Sequence, residues 1–272
     1  MIDSQSLLLA VGVGLLWAAL AYRFGFLSLS SAALLFFSAL IFVPFRWPLF
    51  VLLLAFVLSA GMLTAYRSPE KVFMRDIVAN VGPRGFWQGV ANGGLATTLG
   101  LGYLLFPDDR LLAAFLGTLA AVTADTWGTE LGVLSRVPPR LVTTWRKVPP
   151  GTSGAVSALG TAVSFLGALF IGVVAAASLG MEGRLQWTVL SWVIPVSLVG
   201  GMAGAWVDSL LGATIQARFN CGRCKKMTEK RVHGCGEATK LVGGIRWIGN
   251  DWVNFVSSFA GCLAGLFVHV TF

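Results

Sequence analysis

Charge is what this sequence has least of: only 12% of its 272 residues are Asp, Glu, Lys or Arg, where a soluble domain carries about a quarter. With 56% hydrophobic residues, a water-soluble core of this length could not hide so much apolar surface. Met1–Ser6 has no basic stretch and no cleavage site follows it, so the first apolar run is expected to stay as a span and not to leave as a secretory signal. Histidine is nearly missing, with only His233 and His269. The Walker A order is absent, which excludes the common phosphate loop. No internal repeat stands out, although transporters commonly show one. The formal charge of +8 would suit nucleic acid, but in so apolar a chain basic residues mark cytoplasmic loops. No nucleic-acid partner is expected.

What is present fits the bilayer, with 10 Trp and 19 Phe for the interfaces and 33 Gly for close helix contacts. A crossing helix needs about 20 mostly apolar residues. Eight segments qualify: Leu7–Tyr22, Phe26–Phe45, Leu49–Tyr66, Phe86–Phe106, Leu111–Leu134, Gly154–Leu179, Trp187–Phe219 and Asp251–Val270. The fold class is therefore all-α, a polytopic membrane protein of about eight transmembrane helices. The seventh segment is too long for one straight crossing. It predicts a break near Pro195 or Gly200–Gly201, or an extension out of the membrane. Residues 1–85 form an apolar N-terminal part, and 86–272 a membrane domain whose Cys/His loop covers 218–250.

Charge asymmetry orients the spans. Arg23 and the loops Arg67–Arg84, Ser135–Gly151 and Arg218–Asn250 hold seventeen of the 20 Lys and Arg, against Arg46, Arg110 and Arg184 on the other side. The positive-inside rule then places those loops in the cytoplasm and both termini outside, in the cell (inner) membrane.

Ionisable groups inside spans cost about 2.5–3.5 kcal/mol each on insertion scales, so they are functional candidates by default. Spans two and three have none. Span four opens with Gln88 and Asn92 in GFWQGVANGG, and span five ends with Asp125, Thr129 and Glu130 in ADTWGTELG. Span six opens with PPGTSGAVSALGT, span seven carries Asp208 in GAWVDSLLGATIQ, and span eight opens with Asn250, Asp251 and Asn254 in NDWVNFVSS. Every cluster falls at the cytoplasmic end of its helix, which describes one polar chamber opening to the cytoplasm. Asp125, Gly128, Thr129 and Gly132 share a helical face, as do Gly201, Gly204, Asp208 and Gly212, and Asp251, Asn254 and Ser258. Glycines beside an acid let neighbouring backbones close in, so carboxylates from different helices can meet. Glu130 is retained in the set, although it lies about 140° around the helix from Asp125 and can turn toward Arg136 or the loop. The plain alternative for all these acids is a set of buried salt bridges or amide contacts that fasten helices.

Packed carboxylates repel unless a cation intervenes. Asp and Asn donors without His favour a hard ion, most simply magnesium, on Asp125, Asp208 and Asp251. Asn92, Asn250 and Asn254 would orient phosphates or water. The complement is Arg146, Lys147, Gly151, Thr152, Ser153 and Gly154, read as a basic loop entering a helix whose first N–H groups attract phosphate. Pro-Pro-Gly is also an ordinary helix entry.

Three of the four Cys lie in CGRCKKMTEKRVHGCG. Cys221, Cys224, His233 and Cys235 have the spacing of structural zinc ligands, which would fold a loop with few apolar residues. A redox dithiol and unligated thiols are the alternatives. Cys262 reads as core and His269 as interfacial.

ADTWGTELG, VPPGTSGAVSALGT, DSLLGATIQ and NDWVNFVSS together resemble the integral-membrane family typified by the plant phytyl-phosphate kinase, over about Gln88 to the C-terminus. The resemblance implies transfer of a phosphoryl group from a nucleoside triphosphate to an isoprenyl monophosphate in the lipid bilayer, with CTP favoured. An Asp in a span, a basic loop and a Gly-Thr segment are more distantly similar to dolichol kinase and phosphatidate cytidylyltransferase. Their Lys-Thr-x-Glu-Gly pattern is replaced here by Lys147 followed by Pro-Pro-Gly-Thr-Ser-Gly. A cytidylyltransferase and, from another class, a cation-coupled transporter remain the rival readings.

Overall fold

The computed structural model describes residues 3–66, 84–183 and 186–271. Most of the Arg67–Arg84 loop, and Arg184, lie outside them. Among them seven helices follow one another: α1 (Ser4–Arg23), α2 (Leu29–Ala65), α3 (Phe86–Leu105), α4 (Asp109–Gly132), α5 (Ala158–Met181), α6 (Trp187–Thr214) and α7 (Asn250–Thr271). Polar side chains start several of them. Asp3, Asp108 and Ser157 accept the N–H groups of Ser6, Arg110 and Gly160 at 2.7, 2.8 and 3.0 Å, donors that a helix start leaves unpaired.

Helix α2 joins two helical arms across a kink. A straight run of its 37 residues would reach about 55 Å. Arg46, between Pro44 and Pro48, leaves helical geometry at φ −152° and ψ 68°. Beyond this bend the chain returns, because Gly61 packs directly on Phe26. Arg84 closes the same end, donating from its backbone to the Phe26 carbonyl at 3.2 Å with its guanidinium 5.0 Å from the Phe56 ring centre. The segments Phe26–Phe45 and Leu49–Tyr66 are thus the two arms of one hairpin. At the opposite face Arg46 meets Glu182, the residue after α5, at 3.8 Å. With the two arms of α2 counted separately, the described residues form eight helical segments.

Six helices are long and apolar enough to cross a membrane; α3 is more polar. Helix α4 is the axis. Every residue from Leu112 to Ala124 is buried, as expected of a helix enclosed on all sides. Small residues allow the enclosure: Gly117 abuts Gly261 and Gly265 of α7 and Gly200 of α6, while Gly204 meets Ala121. Outward stand Leu8, Phe37, Leu101, Phe165 and Phe267, all exposed. Such a belt belongs in lipid, and the chain is an integral, multi-pass membrane protein.

Two expectations change. Helix α6 runs unbroken through Pro195 and Gly200–Gly201 and stops at Thr214; the surplus apolar residues leave the helix and reach strand β3 (Arg218–Cys221). Gly200 and Gly201 are held helical by contacts with Gly117 and Ala168. Helix α5 starts at Ala158, not Gly154. Pro149–Val156 instead makes a turn and strand β2 (Ala155–Val156), antiparallel to β1 (Arg140–Leu141). In the last loop β3 pairs antiparallel with β4 (Met227–Thr228) and β5 (Thr239–Gly243), in the order β4-β3-β5.

Candidate active site

At the loop face, α4, α5 and α6 diverge around a cleft of about 160 Å³. Asp125 and Asp208 both line it, with the turn Gly151–Gly154, Asn250, Gln216 and Glu229. Asp125 of α4 and Asp208 of α6 face the same cleft from two helices. Small residues bring α4 close to both neighbours: Gly204 of α6 packs on Ala121 of α4, Gly128 of α4 faces Ser164 of α5, and Gly132 faces Gly160. Behind Asp208, the Ser257 hydroxyl lies 3.2 Å from Oδ2 and also within reach of the Asn254 carbonyl at 3.0 Å. Asn254 Nδ2 in turn donates to Asn92 Oδ1 at 3.0 Å, both side chains being buried. Asp251 and the exposed pair Arg146 and Lys147 do not line the cleft.

Glu130 does not line the cleft; it accepts from Thr64 Oγ1 at 2.6 Å, on the returning arm of α2.

The turn is held against α6. Gly151 and Gly154 have positive φ, 81° and 76°, a conformation glycine adopts without strain. A Cβ on Gly154 would strike the backbone of Ala213 and Ser209. Ser157 caps α5 and Gly151–Gly154 precedes it, so this segment is a turn and not the first turn of that helix; the turn lines the cleft with the carboxylates.

Three participants carry little sequence signal. Gln216, 2% exposed, accepts from Ser153 Oγ at 2.9 Å and donates to Glu229 Oε1 at 2.9 Å. Glu229 comes from the Cys/His loop, where its basic neighbours suggest only a solvated knuckle. Arg84 is buried and within electrostatic range of Asp125 and Glu130. Burial pushes its guanidinium down to about 10 against the pull of those acids. The lone signal for it is position, two residues before α3.

The cleft offers oxygen donors and contains neither His nor Cys, a donor set suited to a hard cation. The soft donors gather 221–235. The ligand atoms of Cys221, Cys224, His233 and Cys235 all lie within 4.8 Å of one another. Cys221 and Cys235 Sγ are 3.7 Å apart, close to the edge of about 3.8 Å for two thiolates held tetrahedrally at about 2.3 Å from zinc. His233 is buried, and its Nε2 has no hydrogen-bond partner among the described residues. This cluster can hold a metal ion. Cys262 is buried in α7, and the His269 ring stands edge-on to Trp192 at 4.6 Å.

No solved structure matches this chain. The chain is 30% identical to Protein PGR of Arabidopsis thaliana over 241 residues, covering 80% of this chain and 81% of the relative. It is 29% identical over 167 residues to an uncharacterized membrane protein of Methanocaldococcus jannaschii, covering 61% and 55% of the two chains. Residues 12–262 match the family described as Integral membrane protein DUF92, and the chain belongs to that family.

Proposed function

We propose that this chain is a membrane-embedded lipid-phosphate kinase. It would move the terminal phosphoryl group of a nucleoside triphosphate, CTP favoured, onto phytyl or another isoprenyl monophosphate. The observation that carries the reading is the meeting of Asp125 and Asp208, from two helices, in a cleft whose facing wall is the Gly151–Gly154 turn.

The acceptor phosphate is already an anionic nucleophile, so no general base is required. That agrees with a cleft without His or Cys. An acceptor oxygen bonds to the terminal phosphorus, the bond to the bridging oxygen breaks, and the nucleoside diphosphate leaves. Asp125 and Asp208 would hold magnesium, which supplies charge compensation at the transferring phosphoryl group. Backbone and hydroxyls of Gly151, Thr152, Ser153 and Gly154 would cradle phosphate, Asn250 would orient it, and Arg146 and Lys147 would attract the nucleotide from outside. The Asn92–Asn254 pair and Ser257 would steady Asp208, with Asp251 beside them at the helix start. The apolar arms of α1 and α2, residues 1–85, would border the prenyl chain within the bilayer. The Cys/His cluster would hold a structural zinc. In this reading the cleft opens to the cytoplasm from the cell (inner) membrane.

The test is incubation of purified protein with phytyl, geranylgeranyl and farnesyl monophosphate against each nucleoside triphosphate, read by mass spectrometry. Gain of one phosphoryl group supports the proposal. Gain of CMP identifies a cytidylyltransferase instead, and no product with any pair overturns the reading.

A further inference from the structure

The Cys/His loop reaches back into the cleft at Glu229. Strand β4 ends at Thr228, and the next residue lines the cleft with Asp125 and Asp208. Its position has three supports. Antiparallel pairing of Phe219 with Thr228 and Asn220 with Met227 ties the strand to the end of α6. Gln216 donates to its Oε1 at 2.9 Å and is itself bonded by Ser153 of the opposite wall. The four metal-ligating side chains bracket it, Cys221 and Cys224 before and His233 and Cys235 after. Asp208 is close enough to feel its charge.

A flexible loop would swing its acid away from two other carboxylates, since like charges in a partly buried site repel. Here the acid is held among them, an arrangement that a divalent cation in the cleft would stabilise. We infer that Glu229 is a third carboxylate of the cleft's cation site, and that metal bound at Cys221, Cys224, His233 and Cys235 keeps it there. The inference rests on the proposed kinase reading for the cation's purpose. It goes beyond that reading in making the soft-metal cluster part of the hard-metal site.

The two metal sites can be followed separately without turnover. Protein purified with its zinc is titrated with Mn²⁺ as the magnesium probe, read by electron paramagnetic resonance, and its zinc is counted by mass spectrometry. Glu229→Gln should keep zinc and thermal stability but weaken Mn²⁺ binding by about tenfold or more, with Glu229→Asp recovering part of it. Cys224→Ser should lose zinc and weaken Mn²⁺ binding to a similar degree, although it alters no cleft residue. Cys262→Ser should change neither. Should Cys224→Ser fail to fold, removing zinc from the wild-type protein with a chelator, followed by the same titration, gives the comparison. Unchanged Mn²⁺ binding in Glu229→Gln overturns the inference. If Asp125→Asn still abolishes binding in that case, the kinase reading survives without it. Failure of wild-type protein to bind Mn²⁺ overturns both.

Discussion

Asp125 of α4 and Asp208 of α6 line one cleft together, with the Ser257 hydroxyl 3.2 Å from Asp208 Oδ2 behind them. Two carboxyl groups in that position need a proton or a cation between them. If they hold magnesium, Asp125→Asn and Asp208→Asn each keep the shape and remove one negative charge. Both variants should insert and melt like the parent, while turnover falls by roughly 10²-fold or more. A fastening role predicts the reverse, with lower melting temperature and near-normal turnover. Both quantities are to be measured on the same preparations.

The amide pair behind Asp208 behaves differently. Asn254→Ala leaves buried Asn92 without its 3.0 Å partner. An unpaired buried amide costs about 1–3 kcal/mol, so stability should fall by that order. The double variant with Asn92→Ala should lose less than the two single losses combined, because the partners touch. Strict additivity in a thermal or denaturant series would show that the contact is not made.

Much of this architecture is legible in the chain. The apolar runs mark out the membrane helices, and the glycine faces beside Asp125 and Asp208 mark the helices that meet. Tertiary contacts supply the rest. Gly200–Gly201 looks like a break until Gly117 and Ala168 pack against it. The PPGTSG segment looks like a helix start, yet Gly154 is drawn into positive φ against α6 and the helix waits for Ser157. Glu229 sits among Lys225, Lys226, Lys230 and Arg231 and reads as solvated surface. Its place in the cleft depends on strand pairing and on Gln216, neither of which has a local pattern.

Gly154 gives a comparison of strain with collision. Gly25 and Gly154 have similar positive φ, 71° and 76°. A Cβ at Gly25 meets nothing within 4 Å, whereas at Gly154 it enters the backbone of Ala213 and Ser209. Gly25→Ala should cost only the conformational term, about 1–2 kcal/mol. Gly154→Ala must also push the turn off α6, so it should lose more stability and take activity with it. Equal losses by thermal melting would mean that the turn is not seated on α6.

The seventeen-to-three division of basic residues predicts the orientation. Single-cysteine variants at Lys226 and at Ser4 should label from opposite sides of sealed cells, with Lys226 protected until the membrane is opened. Labelling of Lys226→Cys from outside would turn the cleft away from the cytoplasmic nucleotide pool.

The Cys/His cluster makes a prediction about pH. In metal-free protein the Cys235 thiol is drawn down to about 6, first by the Glu237 backbone N–H and then by His233. The Cys224 thiol is pushed up to about 11, chiefly by its hydrogen bond to Cys235. Thiolate is the form that reacts with iodoacetamide. For a lowered thiol the reactive form is present above the shifted value and lost as pH falls through it. Alkylation of Cys235 after chelation should therefore be near its plateau at pH 7 and fall about tenfold per unit below pH 6. Cys224 should remain slow across the same range. With metal bound, both sulfurs are occupied as ligands, and labelling should be suppressed at every pH tested. Peptide mass spectrometry from pH 5 to 8, before and after chelation, reads both sites at once. Faster labelling of Cys224 than of Cys235 at pH 7 would refute this order of acidity. Equal labelling before and after chelation would show that no metal is held there.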